Sequence, residues 1–311
     1  MRLTWLLLVT GCATESWFEL DVEDGPTAVG ASLYAGARSG SCREGERGDS
    51  CSFDTVTTKS VTLKPEGIFE RVEDSLVAVE LRAIAEGTAV LTVVAGNGDE
   101  TKTFTRSISA RAVDRVTVTP TLRTLPCASP ALFAIGMRAS LPSALHGGDT
   151  QLHGHRFVPI DVSGATLDDE RSTDELVVVQ LADTPGTVSL ASALDPTFAL
   201  AIETFAPAAI ERIAIGDAAA NWFPLAPNGA SIDLIVGGQP VCGDRLSRTV
   251  TVANPRVCQI YDADGDGTST SKTVAGMSSV LLRAYQAGDC TITVALDGTS
   301  VTATKTFIVT M

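Results

Sequence analysis

The chain has 311 residues, of which 44% are hydrophobic and 19% charged, and a formal net charge of -14. That length suggests two or three domains, and the apolar content is enough for real cores, which excludes disorder throughout. So acidic a surface repels phosphate backbones and anionic headgroups, which argues against a nucleic-acid partner and is compatible with divalent cations.

Residues 1–12 read MRLTWLLLVTGC. Arg2 supplies a positive n-region, Leu3 to Val9 form a short apolar run, and small residues precede Cys12. Val9-Thr10-Gly11-Cys12 resembles the lipobox of bacterial lipoproteins. The resemblance implies a signal peptide over 1–11, cleavage before Cys12, and diacylation of the Cys12 thiol by palmitate-type chains. Residues 12–15 are then a tether to the lipid bilayer, held firmly because two or three acyl chains anchor where one does not. Ala13, rather than Asp, follows the cysteine; by the enteric rule this implies an outer-membrane lipoprotein facing the periplasm or the cell surface. The competing reading is an uncleaved first strand, and the short n- and h-regions leave a start codon further upstream open. Beyond residue 12 no run of 18 apolar residues predicts a transmembrane helix. Setting Cys12 aside leaves six cysteines, an even number suited to an oxidising compartment.

From residue 16 on, one unit recurs about every hundred residues. Trp17-Phe18-Glu19-Leu20-Asp21-Val22, Val113-Asp114-Arg115-Val116-Thr117-Val118 and Ile210-Glu211-Arg212-Ile213-Ala214-Ile215 alternate as opening strands. A glycine then precedes a long strand at matching offsets. Gly87 leads Ala89, Leu91, Val93 and Ala95; Gly186 leads Val188, Leu190, Ser192 and Leu194; Gly288 leads Cys290, Ile292, Val294 and Leu296. Equal offsets place these sets on the inward face. Closing strands carry Phe104, Phe205 and Phe307. Alternating strands with Gly, Pro, Asp and Asn turns at this period predict an all-β chain of three tandem β-sandwich domains, 16–111, 112–208 and 209–311. Linkers are nearly absent, which predicts a stiff rod on the order of 100 Å long.

Asn254-Pro255-Arg256-Val257-Cys258 followed by Ala287-Gly288-Asp289-Cys290-Thr291-Ile292-Thr293-Val294 resembles the bacterial immunoglobulin-like (Ig-like) domains of invasin- and intimin-type surface proteins. Glu86-Gly87-Thr88-Ala89-Val90-Leu91-Thr92-Val93 matches more weakly, and the second unit most weakly. The resemblance implies a fold, and roles as stalk, adhesin or spacer. It also pairs Cys258 with Cys290. Parity agrees, since Cys290 shares a face with Ile292 and Cys258 with Ile260, and two inward cysteines of one sandwich can reach bonding distance. Cys42 and Cys51 flank the charged loop Arg43 to Ser50 and read as its staple. Cys127 and Cys242 either join the second and third domains or stay reduced.

Asp262-Ala263-Asp264-Gly265-Asp266-Gly267 matches the first half of a calcium loop, with carboxylates at positions 1, 3 and 5 and glycine at 6. Thr273 stands where the loop's bidentate Glu belongs, and Asp and Gly are also what a plain acidic turn uses. Asp262, Asp264 and Asp266 are thus candidate calcium ligands with an acidic turn as the alternative. His146, His153 and His155 could form a transition-metal site or a polar loop. Asp168-Asp169-Glu170 reads as a solvated loop. Trp17, Trp222 and Phe223 read as junction packing or a carbohydrate platform. No Gly-x-Ser-x-Gly elbow, His-Glu-x-x-His or phosphate-cradling loop occurs, so no enzyme is expected. The resulting expectation is a membrane-anchored spacer, adhesive or binding protein with an unknown protein or glycan partner. Its third domain lies farthest from the anchor. The alternatives are a glycan- or matrix-binding module and a metal-dependent enzyme built on the three histidines.

Overall fold

A computed structural model describes residues 14–43, 50–75, 77–96, 101–122, 125–216, 227–262, 267–276 and 279–310. These residues are almost all strand, as expected; among them the only helical turn is the 3-10 segment Pro207–Ala209. Three sheet pairs follow one another along the chain.

The first pair uses β1 (Thr14–Val22), β2 (Thr27–Ala28), β3 (Ser32–Arg43), β4 (Ser50–Thr55), β5 (Thr57–Lys64), β6 (Phe69–Asp74), β7 (Ala78–Ala83), β8 (Gly87–Gly96) and β9 (Lys102–Arg111). One sheet runs β1-β3-β7-β6 with β4 on β3, and the other runs β2-β9-β8-β5. The second pair uses β10 (Arg115–Val118), β11 (Thr121–Leu122), β12 (Leu125–Pro126), β13 (Ala131–Ala134), β14 (Arg138–Gly147), β15 (Thr150–Leu152), β16 (Asp161–Ser163), β17 (Ala165–Leu167), β18 (Leu176–Leu181), β19 (Gly186–Ala191) and β20 (Ala199–Phe205). Its sheets run β10-β14-β18-β17, with β15 on β14, and β13-β20-β19-β16; β11 and β12 form a separate hairpin. The third uses β21 (Arg212–Ile215), β22 (Pro227–Val236), β23 (Gln239–Pro240), β24 (Ser247–Val252), β25 (Cys258–Asp262), β26 (Gly267–Ser269), β27 (Ser271–Ala275), β28 (Ser279–Ala284), β29 (Gly288–Leu296) and β30 (Thr302–Val309). Its sheets run β21-β22-β28-β25-β26, with β23 on β22, and β27-β24-β29-β30.

Period-2 alternation explains these strands. On β8, Ala89, Leu91, Val93 and Ala95 are fully buried, and on β29 so are Cys290, Ile292 and Val294. Gly87 and Gly288 open these strands at φ 147° and 140°. A side chain is strained there, and a Cβ on Gly87 would also lie 2.6 Å from Ile68 Cδ1. The second unit departs from the pattern. Val188 and Leu190 are buried, but β19 stops at Ala191 and Leu194 is 43% exposed. The chain turns there because Ser192 Oγ accepts the Leu194 N–H at 3.2 Å and Asp195 caps the turn that follows. Phe205 and Phe307 are buried, and Phe104 packs against the first core, as their recurrence predicts.

The chain divides into two compact units. One holds residues up to Arg115 together with Ala144–Phe157; the other holds Val116–Ser143 and everything from Val158 onward. The first core gathers Leu33, Val61, Phe69, Leu81, Leu91 and Val93 from both of its sheets. In the second unit, Leu141, Val179, Leu190 and Ile202 are buried within the second sheet pair, and Ile232, Val250, Leu282 and Ile292 within the third.

Candidate functional site

A chemically varied surface lies on the outer face of β1, β3 and β7. Register sets Asp21 opposite Gly36 and Gly36 opposite Ala78, one row across the sheet. A Cβ at Gly36 would lie 2.7 Å from the Val77 carbonyl oxygen, so this row has no bulk at its centre. Tyr34 stands one row away, opposite Glu80. The result is a cleft of about 240 Å³ lined by Asp21, Glu23, Tyr34, Gly36, Ala78 and His155 among others.

His155 reaches this face because the segment after β15 pairs with the first sheet pair. The His153 N–H donates to Pro26 O at 3.0 Å, and the Ala28 N–H to His153 O at 2.8 Å. The His155 N–H donates to Ser32 O at 2.7 Å, and the Ser32 N–H returns to His155 O at 3.1 Å. The His155 ring then lies 5.2 Å from the Tyr34 ring at 51°, and its Nε2 is 2.7 Å from Glu23 Oε1. Arg156 follows, at φ 56°, with Nη1 3.2 Å from Glu80 Oε2. The rim therefore carries carboxylates, a phenol and an imidazole beside an aromatic face. Such a rim suits a ligand that donates hydrogen bonds, such as a polyol or an ammonium group.

A larger groove of about 700 Å³ is lined by Glu86, Arg111, Asp114 and Gly148 among others. Its polar groups bond one another. Glu86 accepts the Ala112 N–H at 2.9 Å, Asp114 accepts the Gly148 N–H at 2.7 Å, and Arg111 donates to Thr150 Oγ1 at 3.2 Å.

The histidines do not act as one cluster. His153 lies against Gly25, His155 bonds Glu23, and the buried Nδ1 of His146 has no hydrogen-bond partner. Among the described residues no group of three or more His, Cys, Asp or Glu side chains is arranged to hold a metal ion. Asp262 lies on β25 with Lys272 Nζ 3.2 Å from its Oδ1, while Asp264 and Asp266 lie outside the described residues. The Asp262–Gly267 register pair shows that this acidic segment connects two antiparallel strands. Asp168 takes Arg138 Nε at 3.1 Å, and Asp169 and Glu170 are exposed.

Cys258 and Cys290 form a disulfide, Cα to Cα 5.6 Å, between the two sheets of the third pair. Cys127 and Cys242 form a second one, joining the second and third sheet pairs. Cys42 and Cys51 are register partners on β3 and β4, but their side chains lie outside the described residues. Cys12, Trp222, Phe223 and the Trp17 side chain also lie outside them. Sequence reasoning missed Tyr34, Glu23 and Glu80, because only the strand register and the placement of His155 and Arg156 bring them together.

Asp195 is a buried carboxylate of structural importance. Thr197 Oγ1 donates to it at 2.6 Å and the Val116 N–H at 2.9 Å. The Thr197 hydroxyl first, then the Val116 amide, hold its acidity below the ordinary carboxylate value.

No protein family model matches the chain, and no characterised protein matches it by sequence. Among solved structures, domains 4–9 of the surface layer protein SbsC align at 15% identity and a TM-score of 0.25, over 96% of this chain and 48% of that one. This chain thus spans about half the length of that fragment. The Bacteroides ovatus mixed-linkage glucan utilization locus protein SGBP-B, in complex with a heptasaccharide, aligns at 12% identity and 0.28, over 92% and 65%. The Yersinia pseudotuberculosis adhesin InvE aligns at 12% and 0.27, over 63% and 59%.

Proposed function

We propose that this chain is an exported, lipid-anchored lipoprotein whose three Ig-like modules form a spacer that presents a binding or adhesive surface outside the membrane. The observation that carries this reading is how consecutive sheet pairs are fastened. The 144–157 segment of the second pair belongs to the compact unit of the first, and a disulfide ties the second pair to the third. Such fastening suits a protein whose work is to hold modules in order. Anchoring is supported by the Val9-Thr10-Gly11-Cys12 motif. The test is Cys12→Ser, which should abolish labelling by a palmitate analogue and release the protein from membranes. A variant that still fractionates with membrane would overturn the anchor.

A glycan-binding role is the second reading, favoured by the exposed Tyr34 ring beside the carboxylates of Asp21 and Glu23. A glycan array should then register binding by the wild type that is lost in Tyr34→Ala. Silence of the wild type on the array would remove this reading.

A further inference from the structure

The two described disulfides differ sharply in access. Cys258 and Cys290 are both 0% exposed, between sheets of one core. Cys127 is half-buried, just after the short strand β12, and Cys242 is 6% exposed beside an open cavity of about 290 Å³. Thiol–disulfide exchange needs a thiolate to reach a sulfur, so access sets which bridge reacts first. Their places differ too. Cys258–Cys290 closes a loop inside one sandwich, whereas Cys127–Cys242 ties the hairpin side of the second sheet pair to the β23–β24 connection of the third.

Backbone hydrogen bonds and one aromatic contact also cross that joint. The Cys242 N–H donates to Leu132 O at 2.8 Å, and the Ala134 N–H donates to Gly243 O at 3.0 Å. Phe133 covers Gly243 closely enough that a Cβ there would lie 2.7 Å from the ring. This is a single parallel bridge, not a ladder.

We propose that Cys127–Cys242 is a reducible fastener, opened by a dithiol while Cys258–Cys290 stays closed, so that reduction turns a fixed joint between the second and third sheet pairs into a loose one. One thiolate of the dithiol attacks Cys127 Sγ, the Sγ–Sγ bond breaks, and Cys242 Sγ leaves and takes up a proton. The second thiol of the dithiol then displaces Cys127 Sγ from the mixed disulfide. Two electrons and two protons pass to the cysteines, and the dithiol leaves as its own disulfide. This inference does not depend on the anchor or on the glycan reading.

The test uses the full chain carrying Cys12→Ser, treated with dithiothreitol under native conditions, alkylated at intervals and mapped by mass spectrometry. Cys127 and Cys242 should be alkylated at least about tenfold faster than Cys258 and Cys290. Hydrogen exchange at the amides of Ala134 and Cys242 should accelerate by at least about tenfold once the fastener opens, while β25 and β29 stay protected. A Cys127→Ser/Cys242→Ser variant should show that exchange pattern without reductant. If this variant does not fold, the reduced wild type decides alone. Equal reduction of both bridges, or earlier reduction of Cys258–Cys290, would overturn the selectivity. Selective reduction with unchanged exchange at Ala134 and Cys242 would overturn the fastener.

Discussion

Arg156 Nη1 lies 3.2 Å from Glu80 Oε2 and so places a cation from the second repeat against a carboxylate whose side chain is only 2% exposed. The arginine itself is 67% exposed, so water screens much of the Coulomb attraction. Its larger effect is to compensate a buried carboxylate whose Oε1 has no hydrogen-bond partner.

Arg156→Ala should therefore destabilise the first unit by about 1–3 kcal/mol, read from urea midpoints. Arg156→Gly should be milder than Arg156→Ala. The backbone at 156 sits at φ 56°, where an L side chain costs roughly 1–2 kcal/mol and glycine does not. An alanine variant as stable as wild type would mean that Glu80 does not depend on this arginine.

Asp195 gives the pH dependence a definite sign. Its folded acidity is held below the ordinary value by the Thr197 hydroxyl and the Val116 amide, so folding favours the ionised form. The stabilisation is present above the unfolded pKa of about 3.9 and is lost as pH falls through the lower folded value. Melting temperature should drop on acidification below about pH 4. Asp195→Asn, which cannot ionise, should flatten that drop while lowering stability at neutral pH. Parallel acid profiles for the two proteins would show that Asp195 does not contribute.

Legibility in the sequence followed the range of the interaction. The inward sets on β8 and β29 were readable because alternation is local, and so was Cys258–Cys290, whose parity agreed with the Ig-like resemblance. Alternation places Leu194 inward, but a turn needs only a few side-chain bonds to end a strand early, and alternation does not register them. Cys127–Cys242 stayed open because the pairing depends on how the β11–β12 hairpin meets a loop 115 residues away. The Tyr34 cleft was invisible for the same reason. Its wall comes from His155, and no local pattern says where the segment after a hairpin will dock.

The acidic connection between β25 and β26 tests the calcium expectation. The sequence puts Asp264 and Asp266 between the register partners Asp262 and Gly267, and Lys272 Nζ already sits 3.2 Å from Asp262 Oδ1. Since Thr273 replaces the bidentate acid of a full loop, affinity should be weak, on the order of 10⁻⁴ to 10⁻³ M. Millimolar calcium should raise the melting temperature by mass action, and Asp264→Ala should remove the rise. Identical melting with calcium and with chelator would leave only an acidic turn, in which Lys272 Nζ pairs with Asp262.

Arg248 is the clearest conflict between pattern and chemistry in the third sheet pair. It occupies an inward position on β24 with Val250 and Val252 and is 0% exposed. Its guanidinium is paired with Asp244, whose Oδ1 also accepts the Leu246 N–H at 3.0 Å, while Arg248 Nε and Nη1 find no hydrogen-bond partner. Asp244→Asn keeps an oxygen for the Leu246 amide but strips the charge that neutralises a buried cation. It should cost about 3–5 kcal/mol, the range for removing one partner of a buried pair. Arg248→Met combined with Asp244→Asn removes both charges, leaves a side chain of similar length among Val250, Leu296 and Val274, and should recover most of that loss. Chemical denaturation of the wild type and the single and double variants decides it. A double variant no more stable than Asp244→Asn alone would mean that Arg248 contributes mainly through packing of its stem, not as a charge that has to be neutralised.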